Sequence, residues 1–224
     1  MTAKTAKTEL DTRQRLLEAA REVFARKGYR DATIAEISER AGANIAAVNY
    51  YFRDKEKLYV EAWRIALQRS LEAHPPDGGV SPQAPVRERL RGRILAVLQR
   101  LADSSNGEFE IVHKELANPT GLLEQVMRES IEPLRRELEA IVRDLLGPGA
   151  SELQVQMCRM SIMAQCLHPI MRRRRLAALG AVRPDVQVPD FDVEAFADHI
   201  ARFSLAGIDD LRRQNQSGDV PNHP

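Results

Sequence analysis

Two cysteines, Cys158 and Cys166, are too few in 224 residues for a disulfide framework. Stability must come from a packed core, and a reduced, cytoplasmic setting is expected. No uninterrupted apolar run approaches the roughly 20 residues needed to cross a bilayer. Residues 1–7 lack the apolar centre of a secretion signal, so no membrane partner is expected. Charge is nearly balanced at +1, and neither a basic tract nor the overall charge points to nucleic acid. Enzyme motifs are missing too: there is no Gly-rich phosphate loop, no His-Glu-x-x-His and no Gly-x-Ser-x-Gly. The five histidines, at 74, 113, 168, 199 and 223, are scattered and form no triad pattern. With cysteines eight apart and neither Cys-x-x-Cys nor His-x-x-x-His, the ligand frame of a metal site is absent, and no cofactor is expected. Strand-like alternation and internal repeats are also lacking.

Helical periodicity is what the chain does have. At 43% hydrophobic residues it carries enough apolar surface for a sizeable core. Leu16, Ala20, Val23 and Phe24 place a helix over about 12–27, ended by Gly28. A long helix over about 54–71 is followed by the chain's clearest break, His74-Pro-Pro-Asp-Gly-Gly-Val-Ser-Pro, where prolines remove donors and forbid helix continuation. Further helices are expected over 86–102, 109–117 and 120–146, with a kink or restart near Ile131 ahead of Pro133. Others are expected over 151–167, 171–179 and 193–214. The expectation is an all-α protein in which residues 1–57 form a small N-terminal domain, 1–9 a flexible arm, 58–214 a helical bundle and 215–224 a disordered tail. Residues 1–57 hold twelve Lys and Arg against nine Asp and Glu, a surplus absent from the remainder.

The most informative stretch is 33–59. Thr33 can cap a short helix whose Ile34, Ile37 and Ala41 share a face, and Gly42 frees the chain to turn. Asn44 can cap a second short helix in which Val48 and Phe52, four apart, point inward. Two helices joined by a glycine turn are the helix-turn-helix pattern of a DNA reader. With Val23, Phe24, Gly28 and Tyr29 before them, then Thr33-Ile34-Ala35, Ala41-Gly42, Tyr50-Tyr51-Phe52 and Lys55-Glu56, these residues resemble the TetR family of bacterial transcriptional regulators. The stretch 42–52, together with Glu115 to Thr120 and Arg202 to Gly207, is similar to its CecR-like branch. Where the family often has Lys and Gly after the second cap, this chain has Ile45 and Ala46.

The second short helix is uncharged from Asn44 to Phe52. Sequence choice would therefore rest on Asn49 hydrogen bonds, tyrosine hydroxyls, and Ile45 and Ala46 against thymine methyls, with no Arg-to-guanine fork. The resemblance implies that Thr33, Asn44, Tyr50, Tyr51 and Lys55 hold the phosphate backbone of a double-stranded DNA operator. Thr33 and Asn44 would cap their helices with or without DNA. The resemblance further implies a homodimer built from the last two long helices, with Cys158, Ser161, Ile162, Gln165, Phe203, Ala206 and Gly207 as interface candidates. It also implies a small-molecule effector lodged after the linker, for which Phe109, His113, Leu116, Met127, Met163 and His168 mix apolar bulk with polar groups. A ligand-responsive repressor on a palindromic operator is the resulting expectation. The rival is a helical adaptor with a degenerate reading head, for which the neutral helix argues. An enzyme is the third and weakest reading. The run Arg172 to Arg175 reads as a solvated face.

Overall fold

The computed structural model describes residues 3–103, 105, 107–180, 183, 185 and 192–217, with only the backbone described for 3–10 and 178. Every regular element among these residues is helical. In chain order they are α1 (Ala3–Asp31), α2 (Ile34–Ala41), α3 (Ile45–Phe52), α4 (Lys55–Ala73), α5 (Val86–Ala102), α6 (Glu108–Ala117), α7 (Glu124–Leu146), α8 (Glu152–Gly180) and α9 (Val193–Ser217). The chain divides into two compact units, Met1–Ala73 with Asp103–Ser130, and His74–Ala102 with Ile131–Pro224. The division does not fall at residue 57. Helix α4 stays whole with the N-terminal helices, and the chain returns to them through α6 and the first turns of α7.

In the first unit α1 is the post against which α2, α3, α4 and α6 pack. Its apolar stripe Leu16, Ala20, Val23 and Phe24 is fully buried, as are Leu58, Tyr59, Ala62 and Trp63 of α4. Phe24 and Tyr59 meet edge to face with ring centroids 4.8 Å apart, a favoured aromatic geometry. The helical path breaks at Gly28, where φ is 78°. The helix also begins at Ala3 and not near Thr12, so residues 3–9, expected as an arm, are helical instead. Ala3, Lys4, Ala6, Lys7, Glu9 and Leu10 are good helix formers with no glycine or proline among them.

The second unit buries Leu90, Ile94 and Leu98 of α5, Leu138, Val142 and Leu145 of α7, Val155, Cys158, Ile162, Cys166 and Ile170 of α8, and Ala197, Ile200, Ala201 and Ile208 of α9. Arg93 is buried among them. Its guanidinium donates to the Pro76 carbonyl at 3.1 Å, the Glu137 carboxylate at 2.9 Å and the Leu134 carbonyl, which satisfies a charge that burial would otherwise penalise. Burial still holds its pKa below the usual arginine range.

Gly92 lies inside α5, where alanine is ordinarily about 1 kcal/mol better than glycine. Here the sign should reverse. A Cβ on Gly92 would sit 2.5 Å from the Asp77 carbonyl oxygen and 2.6 Å from a Val80 methyl, because the 77–80 loop lies directly on the helix. Gly92→Ala should lower stability by about 2 kcal/mol through overpacking, read as a fall in the urea midpoint. An unchanged midpoint would mean that the loop yields.

Three further expectations about helix boundaries change. Residues 151–167 and 171–179 join in one helix, α8, which runs through Pro169. Ile170 continues the buried stripe set by Ile162 and Cys166, and Arg174 donates to the Leu101 carbonyl at 2.8 Å, capping the end of α5. Arg174 is therefore more than a solvated charge. Helix α7 starts at Glu124 and passes through Pro133 without restarting. Glu132 pairs with Arg135 at 2.6 Å and Arg136 at 2.9 Å, bracing the turn that follows the proline. Residues 215–217, expected in the tail, finish α9, and 218–224 lie outside the described residues, as do 1 and 2.

Candidate nucleic-acid interface

The segment between α2 and α3 is built from capping side chains. Thr33 Oγ1 accepts from the Glu36 N–H at 3.1 Å, and Asn44 Oδ1 accepts from the Ala46 N–H at 2.9 Å. Each satisfies a donor that a helix start leaves open. Gly42 ends α2 with φ 59°, ψ 40°, a left-handed conformation that suits glycine. Arg15 of α1 donates to the Ala41 carbonyl at 2.6 Å and to Gly42 at 3.3 Å, pinning the turn to the post.

Helix α3 is two-faced. Val48 and Phe52 are buried, and Arg13 of α1 stacks its guanidinium 5.2 Å from the Phe52 ring centre. Ile45, Ala46, Asn49 and Tyr50 are all exposed on the opposite side. Their spacing of one, three and one residues is that of a single helical face. Ile45 is 51% and Tyr50 72% exposed, unusual for large apolar bodies unless something is to cover them. Tyr51 is half-buried, with its ring 4.9 Å from that of Tyr50.

Lys55 is placed differently from Tyr50. Its ammonium sits 4.5 Å over the Tyr29 ring and 3.5 Å from the Arg30 carbonyl oxygen. Burial lowers its pKa, partly offset by the charge of Asp31. What the start of α4 offers outward is therefore its backbone N–H groups, a natural anion site. Asp54 Oδ1 already accepts the Lys57 N–H at 2.8 Å.

Of the dimer candidates, Cys158 and Ile162 turn into the core of their own unit and are corrected to structural residues. They lie on the stripe that α8 presents to α5, α7 and α9, whereas a second stripe remains uncovered. Ser161, Ala206 and Gly207 are exposed and Gln165 is half-buried, donating to Ser204 Oγ at 3.3 Å. Phe203 is exposed, and so are Leu153, Met157 and Met160. Leu153 and Met160 were not singled out from sequence, because a helix apolar on two stripes does not say which stripe faces in.

The pocket candidates are spread over both units. Phe109, His113, Leu116 and Met127 belong to the first unit, and Met163 and His168 to the second. Phe109, Met127 and Met163 are half-buried, whereas His113, Leu116 and His168 are exposed. A polar cleft of about 220 Å³ in the first unit, lined by Lys27, Tyr29, Arg30, Lys114, Glu115 and Asn118 among others, involves none of the six.

Sequence reasoning missed the role of Glu115, although it noted the segment. This carboxylate is buried and accepts from Tyr59 Oη at 3.1 Å, from the Thr120 N–H and Oγ1 at 2.8 Å each, and from the Gly121 N–H at 3.0 Å. It fastens α4 to the corner between α6 and α7. Burial, then the charge of Glu115, push the Tyr59 phenol far above its usual range. Only the spacing of Glu115 and Thr120 could have signalled this, and it carries no information about Tyr59.

Similarity to known proteins agrees with this geometry. A model of bacterial regulatory proteins of the tetR family matches residues 16–62, and a model of the C-terminal domain of the HTH-type transcriptional dual regulator CecR matches residues 86–208. The chain is 26% identical over 152 residues to the HTH-type transcriptional regulator SrpR of Pseudomonas putida, covering 66% of this chain and 68% of that protein. It is 27% identical over 153 residues to the dual regulator CecR of Shigella flexneri, covering 64% and 68%. In fold it is similar to the fatty acid degradation regulator FadR of Bacillus halodurans, with a TM-score of 0.64 at 16% identity over 88% of this chain and 95% of that one. Two capped helices around a glycine turn, an uncharged face on the second of them and a matched C-terminal domain lead to one assignment: the chain belongs to the TetR family, in its CecR-like branch, and is a DNA-binding transcriptional regulator and not an enzyme.

Proposed function

We propose that the protein is a cytoplasmic homodimeric repressor that holds a near-palindromic operator with two copies of α3 and releases it when a small apolar effector binds. The observation that carries the reading is the exposed face Ile45, Ala46, Asn49 and Tyr50 on a helix capped at its start and anchored by Val48 and Phe52. Such a face discriminates bases by amide hydrogen bonds and methyl contacts. Thr33, Asn44, Tyr51 and the start of α4 at Lys55 serve as the phosphate-side contacts. One head covers too few bases for selectivity, so two are coupled at a spacing set by the DNA repeat. Leu153, Met157, Met160 and Phe203 supply the apolar surface for that coupling. Phe109 and Met127, half-buried in the first unit, are the apolar groups offered to the effector.

The test is selection of bound fragments from the source genome, repeated at rising salt. A repressor retains a small set of near-palindromic duplexes, and Asn49→Ala changes which of them is preferred. Compounds that lower affinity for the selected operator then identify the effector class, since a coupling of about 1 to 3 kcal/mol gives a 5- to 150-fold change. Ile45, standing where the family often has lysine, favours a second reading as an adaptor without an operator. Failure to retain any fragment at low salt decides for it.

A further inference from the structure

The electrostatic grip on the DNA has no owner on the reading helix itself. Helix α3 is uncharged, and most of the cations near it are engaged elsewhere. Arg13 stacks on Phe52, Arg15 caps α2, Arg40 pairs with Glu22 at 2.5 Å, and Lys55 is folded over Tyr29. Among the described residues, the side chains of Arg53 and Lys57 alone among the cations of 40–57 have no hydrogen-bond or ion-pair partner, and both are exposed. Arg53 is also the one basic residue between 41 and 54.

Its backbone is the second observation. Arg53 closes α3 with φ 71° and ψ −46°, the only non-glycine residue with positive φ among the described residues. A side chain enters this region at a cost that glycine largely avoids. The turn itself needs only the N–H of residue 53, which bonds the Asn49 carbonyl at 3.1 Å. Glycine would supply that N–H equally well. The fold thus carries a strained conformation together with a free guanidinium, one residue past the buried Phe52 and in the same turn as Tyr50 and Tyr51. Its neighbour Asp54 is occupied as the cap of α4.

We infer that Arg53 is a phosphate-binding residue of the DNA reader, gripping the backbone of double-stranded DNA beside the groove that α3 enters, and that the positive-φ turn is retained to present it. The inference rests on the proposed DNA-reading function. A guanidinium suits the task because its planar fork matches two phosphate oxygens. The contact is blind to sequence, and it restores the charge that Ile45 and an inward Lys55 withdraw.

The experiment compares full-length wild type, Arg53→Gly and Arg53→Lys on the selected operator duplex and on a scrambled duplex, by anisotropy between 50 and 200 mM salt, with thermal melting alongside. Arg53→Gly should melt at the same or a higher temperature yet bind both duplexes about tenfold or more weakly. Its dependence of log affinity on log salt should become shallower by about 0.9 for each phosphate no longer neutralised. Arg53→Lys should keep most of the slope. Stability and affinity moving apart is the signature that a purely structural residue would not give. An Arg53→Gly protein that binds with wild-type affinity and slope overturns the inference while leaving the reader intact. Wild type that binds neither duplex overturns the DNA-reading function, and this inference with it.

Discussion

Phe203→Arg should convert the protein to a monomer and lower its affinity for the operator by about 100-fold or more. Phe203 is 66% exposed on α9, while Leu153, Met157 and Met160 are 61%, 57% and 60% exposed on α8. Scattered apolar residues on a surface are ordinary, but Leu153, Met157 and Met160 recur on one face of α8, which packs against α9, and this is the surface proposed for the dimer. A two-fold interface places each residue in it twice. One substitution therefore inserts two charges into a surface that would otherwise be dry, and an unpaired buried charge is strongly destabilising. Once the heads separate, the second no longer binds at the raised effective concentration that linkage provides, a factor of about 10² to 10⁴. Sedimentation should show about half the wild-type mass. Circular dichroism should remain helical, because Phe203 contributes little to the buried cluster of its own unit. A variant that stays dimeric would place the interface elsewhere, and a monomer with full operator affinity would remove the coupling argument.

The contrast with Ile162 shows where sequence reading stopped. Both Phe203 and Ile162 lie on strongly apolar helices, and the 3.6-residue period marks two stripes on each without saying which faces inward. Ile162 is 2% exposed and belongs to the core. Its truncation should act on folding instead of assembly. The caps and turn of the helix-turn-helix were legible, since Thr33, Gly42 and Asn44 act through local backbone geometry that their own chemistry dictates. Val48 and Phe52 followed from spacing. What the sequence could not show were interactions between residues far apart in the chain: the ammonium of Lys55 over Tyr29, the Arg174 cap on α5, and the loop pressed on Gly92. Prolines misled in the other direction. A kink or restart was expected ahead of Pro133, and the helix over 151–167 was expected to stop short of Pro169, yet tertiary packing and neighbouring ion pairs carry the helices through both.

Glu115→Ala should destabilise the first unit strongly, by about 3 to 5 kcal/mol. The carboxylate gathers four donors from three residues, and truncation strands them. Tyr59 is fully buried and its hydroxyl loses its acceptor, while the N–H groups of Thr120 and Gly121 lose theirs at the corner after α6. Each unsatisfied buried group costs about 1 to 3 kcal/mol, though Thr120 and Gly121 lie nearer solvent and recover part of it from water. At about 2 to 4 °C per kcal/mol for a chain of this size, the melting temperature should drop by roughly 10 °C. Tyr59→Phe removes a single donor and leaves three on the carboxylate, so it should cost only about 1 to 2 kcal/mol. In a double-mutant cycle the pair should then fall short of additivity, because Glu115→Ala has already forfeited the Tyr59 bond. Glu115→Gln keeps the shape and one carbonyl acceptor, and should lie between the two. If Gln and Ala melt together, the carboxylate's hydrogen bonds are not what holds α4 to this corner. If Tyr59→Phe is as damaging as Glu115→Ala, the tyrosine and not the carboxylate is the centre of the network.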